Sequence, residues 1–276
     1  MQTIPEWATL WKELVGLNDR WQEVGETQED HWEKRSRSFS GEIEKRWSRP
    51  DSSREFLVSR LRATPGATLV DIGAGTGAWA ALAARYATSV TAIDRSRAMI
   101  EVMRENLEEA GICNVRIIQG IWPEVDVEPH DFSLCSHAMY GEPDLPRFIH
   151  KMMDVTRRTC FLLVRAPKVD GLMAEFARLV LGHPHDSPNF VIAYNALIEM
   201  GIYANVLIED TGLWKGWTND SLEEALADVK RRLGLKNNPT YDAILYRRLE
   251  EELTFVDGKY VWPQGIRSVL VFWDAG

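Results

Sequence analysis

The chain has 276 residues, 45% of them hydrophobic and 26% charged, with a formal net charge of -9. This is the composition of a globular protein long enough for one well-buried α/β core with a small cap. The acidic balance weighs against a phosphate backbone as partner, since such partners call for basic stripes.

Three scattered cysteines, Cys113, Cys135 and Cys160, make no C-x-x-C pair, so neither a zinc knuckle nor a redox motif is supported. Reduced thiols suit the cytoplasm. The opening MQTIPEWATLWKEL lacks the basic-then-apolar form of a signal peptide, and no apolar run is long enough to span a bilayer.

Residues 1–62 read as a helical cap segment. WATLWKELVGL has apolar residues at helical spacing, DHWEKRSRSFSGEIEKRW is polar with isolated aromatics, and SSREFLVSRLRA is a short amphipathic helix that Pro65-Gly66 ends. Five of the eleven tryptophans fall here: Trp7, Trp11, Trp21, Trp32 and Trp47. They suit packing of this segment onto a core, or one or two of them an aromatic pocket wall.

Strands and helices then alternate. TLVDIG, SVTAID, NVRIIQG, DFSLCSHAM and TCFLLVRAP read as strands. GAWAALAARYA, SRAMIEVMRENLEEAG and DLPRFIHKMMDVT read as helices, the second closed by Gly111. Apolar strands separated by helices predict a doubly wound, mostly parallel sheet covered on both faces. After Pro167 come further helices, a strand YANVLIED, a hairpin TFVDGKYVW turning at Asp257-Gly258 and a final strand IRSVLVFWD. Ser221 and Glu224 form an S-x-x-E capping box. GHPHDSP reads as a loop in which Asp186 or Ser187 caps the next helix, and H-x-H-D is weighed less as a metal site.

The stretch VDIGAGTG carries the chemistry. Gly73, Gly75 and Gly77 let a ligand approach the backbone closely, and the helix behind presents free N–H groups. The spacing alone fits a dinucleotide or another nucleotide-like cofactor. Asp71, two residues before Gly73, would repel a pyrophosphate and suits a ligand with an ammonium or sulfonium near the loop. S-adenosylmethionine has both. Asp94, ending the second strand, is placed to accept from ribose hydroxyls.

VDIGAGTG, AIDRS, VRIIQGIW and DFSLCSHAMY, in this order, resemble the class I S-adenosylmethionine-dependent methyltransferases over about residues 65–166. The resemblance implies a seven-stranded sheet whose last strand is antiparallel, with residues 63–276 forming the core and lid insertions at about 168–188 and 212–262. It implies that Gly73, Ala74 and Gly75 pack against the cofactor, that Asp71 helps hold its amino group, and that Asp94 and Arg95 meet ribose and adenine. Many members carry an acid after the loop glycine where this chain has Ile121 and Trp122. The expectation is therefore backbone contact at that loop and stacking or edge contact from the indole.

Ser136 and the end of the fourth strand would face the transferable methyl. His137 and Tyr140 are candidates for catalysis, His137 as proton acceptor. Trp32, Arg35 and Phe39 are candidates for a lid over the pocket. Trp214 and Trp217 flank Lys215 as a pocket wall or a packed connection. The expected activity is methyl transfer to a small molecule, with no metal, no membrane or nucleic acid, and a monomer or homodimer as the assembly. A protein or RNA methyltransferase, an NAD-dependent oxidoreductase and a non-catalytic methyltransferase-like subunit stay open as alternatives.

Overall fold

The computed structural model describes residues 6–17, 28–209, 214 and 216–276, with backbone alone at 28–31. Trp21, Lys215 and part of the second predicted insertion lie outside the described residues. Among the described residues, no helix is long and apolar enough to cross a membrane.

Helix α1 (Trp7–Leu17) buries Leu10, Trp11 and Leu14 along one face. α2 (Gln28–Trp47) is polar through its length. α3 (Ser52–Arg62) starts where the Asp51 side chain accepts from the Arg54 N–H. The alternating region then gives β1 (Thr68–Ile72), α4 (Ala78–Ala84), β2 (Ser89–Asp94), α5 (Arg97–Glu109), β3 (Val115–Gln119), β4 (His130–Ser136), α6 (Leu145–Asp154) and β5 (Thr156–Pro167). α7 (Leu172–Leu181), α8 (Phe190–Glu199) and β6 (Asn205–Ile208) follow. The chain continues through β7 (Thr218–Asn219), α9 (Leu222–Arg232), α10 (Asp242–Glu252), β8 (Thr254–Val256) and β9 (Lys259–Val261), and closes on β10 (Ile266–Asp274).

Seven strands form one sheet in the order β3-β2-β1-β4-β5-β10-β6. β1 to β5 pair in parallel, and β10 runs antiparallel between β5 and β6. This is the expected doubly wound sheet with its reversed last strand. Apolar side chains alternate between two faces, as the period of a strand dictates. Val70, Ile72, Cys135 and Val164 face α1, α6 and α8. Leu69, Ala92, Leu134 and Leu163 face α3, α4 and α5.

A third apolar core is built from α7, α9, α10 and the short sheet β7-β9-β8 around Phe176, Val229, Leu245 and Trp262. Its hairpin turns at Asp257 and Gly258, both at positive φ. The capping box forms as a variant: the Glu224 N–H donates to the Ser221 hydroxyl, but the Glu224 carboxylate accepts from the Asp220 N–H. The cap of α8 corrects the sequence reading. Asn189 accepts from the Val191 N–H, while Asp186 is ion-paired with Arg232.

Candidate active site

The sheet reverses its winding between β1 and β4, and ligands of such folds sit beyond the carboxyl ends of the strands at that point. There the glycine loop leaves β1. Gly73, Gly75 and Gly77 have φ of +69°, +56° and +84°, a backbone region that a Cβ disfavours. A Cβ on Gly73 would lie 2.2 Å from the Ala138 Cβ, so the loop is pressed against the residues that follow β4. A Cβ on Gly75 would meet only Phe39 Cε1, at 3.9 Å.

The loop is tied on both sides. The Ala74 N–H donates to the Ile93 carbonyl at 2.9 Å. Asp94 accepts from the Gly75 N–H at 2.8 Å with one oxygen and from the Ser96 N–H at 2.9 Å with the other. Ser96 caps α5 through the Met99 N–H. The Asn106 amide of α5 donates to the Thr76 carbonyl at 2.9 Å.

Asp71 is 1% exposed, and its Oδ2 is buried with no hydrogen-bond partner. Burial pushes its carboxyl up to about 7, and the charge of Asp94 pushes the same way. A deeply buried acceptor without a donor is rare in folded proteins. Here it stands beside a loop that leaves backbone open to a ligand. An ammonium group fits such an acceptor and a pyrophosphate does not, so these residues fit S-adenosylmethionine.

α2 crosses this region. Phe39 lies over Gly75 and meets Trp32 edge-on at a 5.4 Å centroid separation. The Arg37 guanidinium donates to both oxygens of Glu105, at 2.8 and 2.9 Å, and the Asn106 amide donates to the Ser40 hydroxyl at 3.2 Å. Arg35, in contrast, is exposed and leans toward Glu42 of its own helix at 3.8 Å. Trp79, just past the glycine loop, packs edge-on against Trp47 at 5.2 Å.

Of the residues expected near adenine, Arg95 is exposed, and its carbonyl accepts from the Gln119 amide. Gly120 N–H donates to the Asp94 carbonyl, which fixes the third-strand loop beside the end of β2. Ile121 is 49% exposed at that loop. Trp122 departs from expectation. It is 8% exposed, its Nε1–H donates to the Phe148 carbonyl at 3.3 Å, and its ring meets Phe148 edge-on at 6.2 Å. The indole belongs to the core against α6, which withdraws it from the stacking role.

At the end of β4, Ser136 is half-buried and aligned with Leu163 of β5. His137 has φ +57°, and this turn of the chain sends its ring into a closed network. The Arg165 N–H donates to the Tyr140 hydroxyl at 2.7 Å. The Tyr140 hydroxyl and His137 Nδ1 are 2.9 Å apart, and His137 Nε2 and the Ser268 hydroxyl 2.7 Å. One assignment satisfies every group: Tyr140 donates to Nδ1, and Nε2–H donates to Ser268. Burial, with the charges of Arg46 and Arg165, pushes His137 down to about 3. Burial raises Tyr140 above its ordinary value. A neutral imidazole with both nitrogens engaged is a poor proton acceptor, so the expected proton transfer by His137 is corrected to a positioning role. Ser268 was missed from sequence because it arrives on β10, 131 residues away, with no local signal.

A surface cleft of about 440 Å³ lined by Ser89, Cys113, Asn114 and His130 lies at the amino ends of β2, β3 and β4, the opposite end of the sheet. It contains none of these residues.

A methyltransferase-domain family profile matches residues 69–159. A protein of Haemophilus influenzae whose name assigns no activity is 24% identical over 193 residues, 67% of this chain and 69% of the relative. The ribosomal protein L11 methyltransferase of Acetivibrio thermocellus is 29% identical over 108 residues, 39% of this chain and 30% of the relative. The crystal structure of the Bacillus subtilis protein YcgJ superposes with a TM-score of 0.52 at 16% identity, covering 80% of this chain and 97% of that one, a likeness of fold. Sheet order, glycine loop and buried acid agree with the domain match: residues 69–159 carry a methyltransferase domain, within the fold of the class I S-adenosylmethionine-dependent methyltransferases.

Proposed function

We propose that the protein transfers the methyl group of S-adenosylmethionine to a nucleophilic atom of a small molecule. The observation that carries this reading is α2, lying across the cofactor loop with Phe39 over Gly75. A loop roofed by the protein's own chain leaves a confined approach, which suits a small acceptor better than a folded protein or an RNA. The net charge of -9 argues the same way against RNA. The L11 methyltransferase relative is named for a protein acceptor, but the match spans 30% of its length, which is too little to carry its acceptor to this chain.

Bound cofactor supplies an already activated sulfonium methyl. The residues then have three tasks. Asp71 receives the ammonium group, and Asp94, Gly75 and the exposed loop at Ile121 hold the nucleoside end. Gly73 and Ala138 fix the floor beneath the reacting atoms, and the His137–Tyr140–Ser268 network keeps the end of β4 rigid. Alignment and exclusion of water supply the acceleration for an in-line displacement, so no proton acceptor is required where the nucleophilic atom carries no proton to lose or is already ionised.

The test has two parts. S-adenosylhomocysteine should raise the melting temperature and NAD should not; at one hundred times Kd the added stability is about 2.7 kcal/mol. Cofactor consumption is then followed with the low-molecular-weight and the macromolecular fractions of a cell extract. Turnover confined to the macromolecular fraction would overturn the small-molecule acceptor.

A further inference from the structure

Two guanidinium groups stand beside His137, and among the described residues no ion pair engages either. Arg165 is near the carboxyl end of β5, in register with Ser268. Its guanidinium is set by two contacts. It lies 4.3 Å from the centroid of the Tyr140 ring, and its Nε donates to the Pro188 carbonyl at 3.1 Å. The two terminal nitrogens have no acceptor among the described residues. Arg46, in the last turn of α2, lies 4.8 Å over the Trp214 ring. Trp214 meets the His137 ring edge-on at 5.2 Å, and its N–H is held by the Ile266 carbonyl at the start of β10.

Both charges lower the proton affinity of His137, so both bear on one small region past the end of β4. Half of the other described arginines have acidic partners, among them Arg37 with Glu105, Arg97 with Glu101, Arg147 with Glu124, Arg232 with Asp186 and Arg248 with Glu175. Two cations at one place with no acidic partner among the described residues, one of them half-buried and held in orientation, make a field for an anion. A guanidinium fixed this way offers paired donors to a carboxylate or phosphate.

We propose that the methyl acceptor carries an anionic group, carboxylate or phosphate, received by Arg165 and Arg46 beside Trp214. This rests on the small-molecule acceptor reading and adds the charge of that acceptor.

The experiment titrates benzoate, phenyl phosphate and benzamide into the full-length protein, alone and saturated with S-adenosylhomocysteine. At least one anion should bind, with benzamide about tenfold weaker or worse, the loss expected when a charge-assisted hydrogen bond is removed. Arg165→Gln and Arg46→Gln should each weaken the anion about tenfold, with affinity for S-adenosylhomocysteine and melting temperature unchanged. Arg165→Lys should restore part of the binding. Arg46 is exposed, so its variant keeps the test valid if the Arg165 variants fail to fold. Benzamide binding as well as the anions, anion binding unaltered in Arg46→Gln, or no binding of either anion would each overturn the proposal. Failure of the wild type to bind S-adenosylhomocysteine, or turnover on macromolecules alone, would instead strike the underlying reading and leave the anion result standing.

Discussion

Asp71 keeps one carboxylate oxygen in the interior without a partner, and its carboxyl is raised to about 7. In the unfolded chain it titrates near about 3.9. Between those values the unfolded chain sheds a proton that the folded chain keeps, so this group's contribution to stability falls as pH rises and the loss is complete above about 7. An ammonium at Oδ2 favours the charged form. Affinity for S-adenosylhomocysteine should therefore climb with pH by up to about tenfold per unit and level off above about 7. Calorimetry in buffers of different ionisation enthalpy reads the released proton, and Asp71→Asn should flatten the profile. A flat wild-type profile would remove the carboxylate from this role. The glycines separate two effects. Gly73→Ala combines a left-handed φ with a 2.2 Å clash against Ala138 and should lower the melting temperature sharply. Gly75→Ala has only the φ penalty, about 1–2 kcal/mol. It should leave a folded protein whose cofactor affinity drops, because the added methyl points into the gap beneath Phe39. Equal melting losses in the two variants would contradict this. The places of Asp71 and the glycines at the end of β1 and in the turn after it were legible in sequence because the turn is local. The place of Trp122 was not, because its capture by Phe148 depends on how the helix 26 residues further on packs against the sheet.

At the scale of elements, α2 is the part that sequence described least well. Its polar composition marks a surface helix, yet nothing local says which surface. Arg37, Ser40 and Phe39 find that surface through Glu105, Asn106 and Gly75, contacts between segments far apart in the chain. Phe39 is only half-buried and stands outside the three apolar cores. Phe39→Ala should leave the melting temperature of the free protein nearly unchanged while weakening S-adenosylhomocysteine about tenfold, the order expected for one aromatic contact of about 1.5 kcal/mol. Parallel thermal-shift and calorimetric titrations check both halves; a large melting loss with unchanged affinity would make α2 structural cover alone. The end of β4 shows the opposite case. SHAMY was singled out from sequence, and His137 and Tyr140 do lie together. Their partners Ser268 and Arg165 come from β10 and β5, and that company alters the chemistry of the histidine.

Over the whole molecule, alternation of apolar strands with helices was enough to predict a doubly wound sheet, because a strand buried on both faces leaves a continuous hydrophobic signature. The reversal of β10 came from the family resemblance, since a terminal apolar strand reads the same in either direction. The third core was hidden: α7 is separated in sequence from α9 and α10, and each alone is an ordinary amphipathic helix. One consequence follows from the way α2 is fastened over the glycine loop. Its bidentate link from Arg37 to Glu105 is on the surface, with side chains 75% and 53% exposed, and such pairs contribute about 0–1 kcal/mol and weaken in salt. If α2 roofs the bound cofactor as proposed, spent cofactor leaves past this helix, and release rather than bond making should limit the steady-state rate. Rapid-quench kinetics should then show a burst of one product per protein followed by slower cycling. Moderate salt and Arg37→Ala should both quicken the slow phase without changing the size of the burst.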